Sequence, residues 1–296
     1  MVTVQGVLLP LSGAVLLAGQ ALLVRLATRR GTVTEVLVFM LLVNVVLLVP
    51  LAAVLSYPDY GLTVRSALAF VAAGLVGTVF GRLALFTGIQ RVGASRAEPV
   101  KASNPLFAAI IAVVVLNERM VPEHVLGVVL IVVGVAIISW EQASGPETDE
   151  FGSTAGLAFP LLAALCFAVE PTVAKIGLDE GTPVFVGLAV KTAAATVGYL
   201  GYLRWRGSLP TLGSFSGEEL PWYVAAGLAN TAFLVALYAS LAVAPVVLVA
   251  PLVQASPLFV VVLSYAFLQD IEHVTGRLAA GAAVVVGGGV LVAVYG

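Results

Sequence analysis

Six charged side chains lie inside long apolar stretches of this sequence. They are Arg25, Arg82, Glu98, Lys101, Glu170 and Lys191. A charge near the centre of a membrane costs at least about 2.5 kcal/mol, so such side chains face protein or water and pair with other groups. A cation there can bind a carboxylate, and a carboxylate can bind an amine or a proton. The six are therefore candidates for solute binding, for gating, or for ion pairs that only hold helices together.

Lys101 is the first candidate for contact with a solute. It stands three residues after Glu98 and three before Asn104, so the three side chains share one helix stripe. At about 1.5 Å per residue, Lys101 lies roughly 10 Å into its helix. Pro99 and Pro105 flank it, and prolines leave backbone carbonyls free to face a cavity. The alternative is an ion pair between Lys101 and Glu98 alone.

Arg82 and Glu98 come near the same membrane face, at the end of the predicted third helix and the start of the fourth. Buried ions are usually paired for solvation alone, which favours a structural ion pair between these helices. The other interpretation is a gate. Arg25 lies close to a helix end, where it can reach the membrane surface.

Glu170 and Lys191 are predicted to face the same interior from the second half of the chain. Glu170 precedes Pro171 in the sixth helix, and Lys191 lies near the middle of the seventh. They either form a second ion pair or line a solute pathway. In the second case Glu170 is the candidate for carrying a coupling proton.

Uncharged polar residues complete the predicted solute site. Gln254 and Tyr238 belong to it, with Asn44, Asn230 and Ser256 as weaker candidates. Each of them is otherwise explained as a hydrogen bond between helices.

The elements that must position these side chains are membrane-spanning helices. The chain has 296 residues, of which 60% are hydrophobic and 10% charged, against about 25% charged in soluble proteins. Apolar runs of about 18 residues or more indicate spanning helices. The sequence therefore predicts an all-α, multi-pass protein of the cell membrane. Its ten predicted spans are about 5–27, 33–56, 65–89, 94–116, 123–140, 155–177, 183–204, 221–242, 245–267 and 274–294.

The ten spans form two copies of one unit. Residues 98–107 return in outline as residues 250–259, with Pro99 matched by Pro251 and Pro105 by Pro257. Upstream, residues 6–10 match residues 156–160. The predicted division is a first repeat at 1–140, an acidic linker at 141–154 and a second repeat at 155–296. Five spans per copy make the repeats inverted, with a central cavity between them.

Several classes of function are excluded by what the sequence lacks. The net charge is −2 with no basic patch, so nucleic acid is not a partner. One cysteine and two isolated histidines give no metal site, and no catalytic or cofactor motif stands out. An enzyme is not expected, nor is a cofactor. Lysine and arginine number three on the face of the termini and eight on the other, which places both termini outside the cytoplasm.

The pattern of the fourth and fifth helices in each copy resembles that of the EamA-domain members of the drug/metabolite transporter superfamily. The resembling residues are Ser103-Asn104-Pro105-Leu106-Phe107, Asn117-Glu118, Gly127 and Gly134 in the first copy, and Ala255-Ser256-Pro257-Leu258-Phe259, Gln269-Asp270, Gly281 and Gly288 in the second. The family usually has Gly-Glu where this chain has Asn117-Glu118. The resemblance implies a ten-helix secondary carrier of small solutes that uses no ATP. It also implies cytoplasmic termini, in conflict with the charge count.

The predicted function is export of a small polar or amphipathic metabolite, an amino acid or a related compound, by alternating access. The predicted partners are this solute, the lipid bilayer, a coupling proton and a second copy in a homodimer. The alternative is a lipid-handling or structural membrane protein, in which the buried ions only hold helices together.

Overall fold

The computed structural model describes residues 4–28, 31–143, 154–210, 217, 219–267 and 276–295. Every regular element in these residues is helical, and ten helical spans are long and apolar enough to cross a membrane. The prediction of an all-α protein with ten spans is confirmed. The helices are α1 (Val4–Ala27), α2 (Val33–Leu55), α3 (Val64–Ala73), α4 (Arg82–Val92), α5 (Ala94–Lys101), α6 (Asn104–Leu116), α7 (Pro122–Ala143), α8 (Ala158–Asp179), α9 (Val184–Trp205), α10 (Leu220–Val243), α11 (Val246–Val253), α12 (Ser256–Phe267) and α13 (Gly276–Tyr295).

Two parts of the predicted organisation fall beyond these residues. Positions 144–153 of the predicted acidic linker and the Gln269-Asp270 pair lie outside the described residues. The bounds assigned to the two repeats stay predictions.

The second and third spans begin at reciprocal caps. Thr32 accepts a hydrogen bond from the Glu35 amide at 3.2 Å, and the Glu35 carboxylate accepts from the Thr32 amide at 2.8 Å. Thr63 and Ser66 exchange the same two bonds at 3.0 Å. Each cap satisfies amides that a helix start would otherwise leave unpaired, which fixes where the span begins.

The fourth and ninth spans are broken at equivalent places. Residues 102–103 separate α5 from α6, and residues 254–255 separate α11 from α12. The duplicated prolines explain both breaks, because proline cannot donate a backbone hydrogen bond inside a helix. The sequence indicated that Pro99 and Pro105 leave backbone carbonyls without their helical partners, and the fourth span is broken between these two prolines.

The third span contains a segment of π-helix, Gly74–Gly81, between α3 and α4. A Cβ atom at Gly74 would collide with the Lys191 carbonyl oxygen, and one at Gly77 would collide with the Glu170 carboxylate. The two glycines therefore let this span lie directly against the charged residues of α8 and α9. Segments of π-helix inside α-helices often occur at functional sites.

Glycines also join the fifth spans of the two repeats. A Cβ atom at Gly127 would lie 2.8 Å from the Gly288 carbonyl oxygen, and one at Gly134 would lie 2.8 Å from that of Gly281. The backbones of α7 and α13 thus touch, as the spacing of these glycines predicts.

The first helix of each repeat packs into the other repeat. Helix α1 packs against α10, α11 and α12, whereas α8 packs against α3, α4 and α6. The two repeats are therefore interleaved. Because each has five spans, the second crosses the membrane in the opposite sense to the first, and a cavity remains where they meet.

Candidate functional site

A cavity of about 300 Å³ lies between the repeats, at the low end of the range for small-molecule sites. Aromatic and aliphatic side chains form most of its wall. Its polar lining consists of Gln20, Asn44, Thr78, Arg82, Lys101, Asn104, Glu170, Lys191, Thr192, Tyr199, Asn230 and Gln254.

Glu170 and Lys191 form an ion pair at the cavity wall. Their Oε1 and Nζ atoms are 2.5 Å apart, and the two side chains are only 14% and 3% exposed. The Lys191 ammonium also lies 5.4 Å from the centre of the Tyr238 ring. Of the two alternatives that the sequence left open, the ion pair is formed, and both residues also line the cavity. Since each charge is buried, neither can lose its partner without a large cost.

Lys101 pairs with Glu98 one turn earlier on α5, with 2.6 Å between Nζ and Oε2. Both side chains are about one-third exposed, so this pair is more accessible than the first. Lys101 and Asn104 also line the cavity. The predicted Glu98–Lys101 pair is thus formed, and the role of Lys101 in binding a solute stays a prediction.

The Arg82–Glu98 ion pair suggested by the sequence is not formed among the residues that the structure describes. Glu98 takes its partner from its own helix, because the (i, i+3) spacing brings Lys101 to it without any tertiary contact. Arg82 lines the cavity instead, and Glu170 is the one carboxylate among the described residues that line it. Together with Glu98, which pairs with Lys101 but does not line the cavity, the charged residues of the lining make three cations and two carboxylates, an excess of one positive charge.

Three amide side chains form a hydrogen-bonded cluster on another part of the wall. Asn44 donates to Asn230 at 2.8 Å, Asn230 donates to Gln20 at 3.0 Å, and Thr231 donates to Asn44 at 2.7 Å. This cluster joins α1 and α2 to α10. The sequence indicated Asn44 and Asn230 but not Gln20, although Gln20 stands 150 positions before Glu170 and occupies the equivalent place in the first repeat.

The remaining predicted residues lie in different surroundings. Gln254 lines the cavity at the break between α11 and α12. Tyr238 does not line it and is fully buried beneath Lys191. Lys175, near the end of α8, donates to the Leu241 carbonyl at 2.9 Å and pairs with Asp179 at 3.0 Å.

Glu118 holds the start of α11 from the other repeat. Its two carboxylate oxygens accept hydrogen bonds from the amides of Val246 and Val247 at 2.8 and 2.9 Å. A carboxylate at a helix N-terminus pairs free amides and complements the helix dipole. The preceding Asn117 has φ 55°, a left-handed conformation that glycine adopts most easily and asparagine next. This conformation explains why Asn117 can stand where the resembling proteins have glycine.

Comparisons with known proteins agree with this architecture. The sequence profile of the EamA-like transporter family matches residues 4–140 and 154–294. The Uncharacterized transporter YyaM of Bacillus subtilis (strain 168) is 25% identical over 120 residues, which make up 40% of this chain and 39% of that protein. One solved crystal structure of a protein superposes with a TM-score of 0.75 at 19% identity, over 97% of this chain and 95% of the other. At that identity the superposition shows the fold alone.

Proposed function

Because the chain belongs to the EamA-like transporter family, we propose that it exports a small polar or amphipathic metabolite by alternating access. It is a multi-pass membrane protein, and membership of a transporter family implies that it is not an enzyme. The observation that carries the proposal is the lining of one cavity between inverted repeats by Arg82, Lys101, Glu170 and Lys191.

The charges of the cavity favour a solute with an anionic group. Both carboxylates are paired with lysines, while Arg82 forms no ion pair within the described part of the chain. A carboxylate on the solute would satisfy Arg82 and compete for Lys101, whose pair with Glu98 is accessible. An amine on the solute would bind Glu170. Phe86, Phe167, Phe233 and Leu237 would contact its apolar part. An amino acid or a related compound meets these requirements.

Glu170 is the proposed site of a coupling proton. The proton and the amine of the solute would compete for this carboxylate, so that inward movement of a proton accompanies outward movement of the solute. A homodimer stays a prediction of the sequence. The alternative, a lipid-handling or structural protein, would explain the two ion pairs but not the placement of Arg82 at a cavity whose one described lining carboxylate, Glu170, is already paired with Lys191.

A thermal-shift screen of the purified protein tests the proposal. A ligand that binds only the folded form at about 100 times its Kd stabilises that form by about 2.7 kcal/mol. We expect amino acids or related small anions to raise the melting temperature, and cationic drugs and nucleotides to leave it unchanged. A Lys101→Ala variant should lose the response. Stabilisation by cations alone would contradict the proposed substrate class.

A further inference from the structure

Two buried hydroxyl groups have no hydrogen-bond partner among the described residues. They are Oγ1 of Thr172 and Oη of Tyr238. Both residues have 0% exposure. Buried polar groups are almost always paired, so two unpaired hydroxyls in one region require an explanation.

Thr172 on α8 and Tyr238 on α10 belong to one layer of two adjacent helices. These helices are the sixth and eighth spans, so they run in the same direction, and they pack against each other. Lys175 on α8 donates to the carbonyl oxygen of Leu241 on α10 at 2.9 Å. Thr172 and Tyr238 each stand three residues before these contacting residues, about 4.5 Å earlier along the two helix axes. They therefore lie at about the same depth in two helices that are in contact.

This layer connects the central ion pair to one face of the membrane. On the inner side, the Lys191 ammonium lies over the Tyr238 ring. On the outer side, Thr172, Lys175 and Asp179 share one stripe of α8, because they are spaced by three and four residues. Exposure rises along this stripe, from 0% for Thr172 to 16% and 56% for the side chains of Lys175 and Asp179.

The position of the first repeat that corresponds to Tyr238 lies in the accessible part of the cavity. The sequence Val-Ala-Ala-Gly-Leu stands at residues 71–75 and again at 224–228, an offset of 153, and residues 98–107 match residues 250–259 at an offset of 152, so Tyr238 corresponds to Leu85 or Phe86. Leu85 and Phe86 both line the cavity, whereas Tyr238 is buried beneath it. Equivalent positions of the two repeats thus differ in whether they contact the cavity. In alternating access the two inverted repeats exchange conformations, and this exchange would bring Tyr238 to the cavity wall.

We propose that Thr172 and Tyr238 line the second half of the translocation path, which opens between α8 and α10 toward the face at which α8 ends. Their hydroxyl groups then bind water or the solute. The hydrogen bond from Lys175 to Leu241 closes this path at its outer end in the present structure. The inference rests on the proposed alternating-access function and adds the route that the solute takes on this side.

Removal of the Tyr238 hydroxyl tests the proposal without any ligand. Tyr238→Phe keeps the ring and removes only the group that is unpaired in the closed state, so the closed state should gain stability relative to the open one. We expect the melting temperature of the purified full chain to rise by about 2 °C. Ser240→Ala is the matched control, because Ser240 is equally buried on α10 but donates to Ala236 at 2.6 Å. This control should not raise the melting temperature.

Thiol labelling tests the path itself. The full chain carrying Cys166→Ala and Thr172→Cys is reconstituted into liposomes and exposed to a membrane-impermeant maleimide from each face. We expect labelling from the face at which α8 ends, and faster labelling than for Ser240→Cys in the same background. Addition of Tyr238→Phe should slow the labelling about fivefold by favouring the closed state.

Two results would overturn the inference: labelling of Thr172→Cys no faster than that of Ser240→Cys, or a Tyr238→Phe variant that melts at a lower temperature than the unmodified chain. Asn104→Cys separates this failure from that of the proposed function. If Asn104→Cys is labelled and Thr172→Cys is not, only the route is wrong. If neither is labelled, the carrier itself is refuted.

Discussion

Lys191→Ala is expected to abolish transport and to destabilise the protein by about 3–5 kcal/mol. Lys191 is 3% exposed and pairs with Glu170, and removal of one partner from a buried ion pair leaves an uncompensated charge. The glycines of the third span make the effect larger, since Gly74 and Gly77 hold the backbone against both residues and leave little room for water. Thermal unfolding measures the loss of stability. Uptake into proteoliposomes of the ligand found by thermal shift measures the loss of transport.

The double variant Glu170→Gln/Lys191→Met separates the two roles of this pair. Replacement of both charges by neutral side chains of similar size is often neutral for stability or increases it. The double variant should therefore recover the melting temperature and should still fail to transport. Transport at the rate of the unmodified protein would show that the pair only holds α8 and α9 together.

Lys101→Ala is expected to lower transport at least about tenfold while it changes stability by no more than about 1 kcal/mol. The pair with Glu98 is one-third exposed, and accessible ion pairs contribute little to folding. The loss of transport has a different cause, because Lys101 is the lysine of the cavity whose pair a solute carboxylate can break. Proteoliposome uptake and thermal unfolding are measured on the same preparation.

Arg277→Ala provides the matched control for Lys101→Ala. Arg277 also belongs to an accessible ion pair, 3.8 Å from Glu141, but it lies between α13 and α7 and away from the cavity. It should leave both transport and stability nearly unchanged. Normal transport by Lys101→Ala would remove Lys101 from the solute site.

The sequence predicted the local interactions of the site better than the tertiary ones. The Glu98–Lys101 pair follows from spacing on one helix, and the duplicated prolines predict both broken spans. Arg82 was assigned to Glu98 because both residues come near one membrane face. The direction in which Arg82 points depends on the rotation of the third span about its axis. The π-segment Gly74–Gly81 sets this rotation, and no local pattern in the sequence indicates it.

Depth in the membrane was also easier to predict than exposure to the cavity. Tyr238 stands at the right depth for a solute contact, yet it is sealed below Lys191 in the present state. Its accessibility depends on which side of the carrier is open. Both conformations have the same sequence, so the sequence does not indicate which of them exposes Tyr238. Gln20 was missed for the opposite reason, since its signal was the repeat relation to Glu170 rather than a charge.

Labelling of the central cavity tests the account most directly. Asn104→Cys and Gln254→Cys, each in a chain that carries Cys166→Ala, are treated with a water-soluble thiol reagent, and Ile110→Cys on the exposed outer side of α6 serves as the lipid-facing control. Both cavity positions should react and the control should not, since a thiol reacts as the thiolate and needs water. Unreactive cysteines at both cavity positions in a folded protein would contradict a solute-filled space between the repeats.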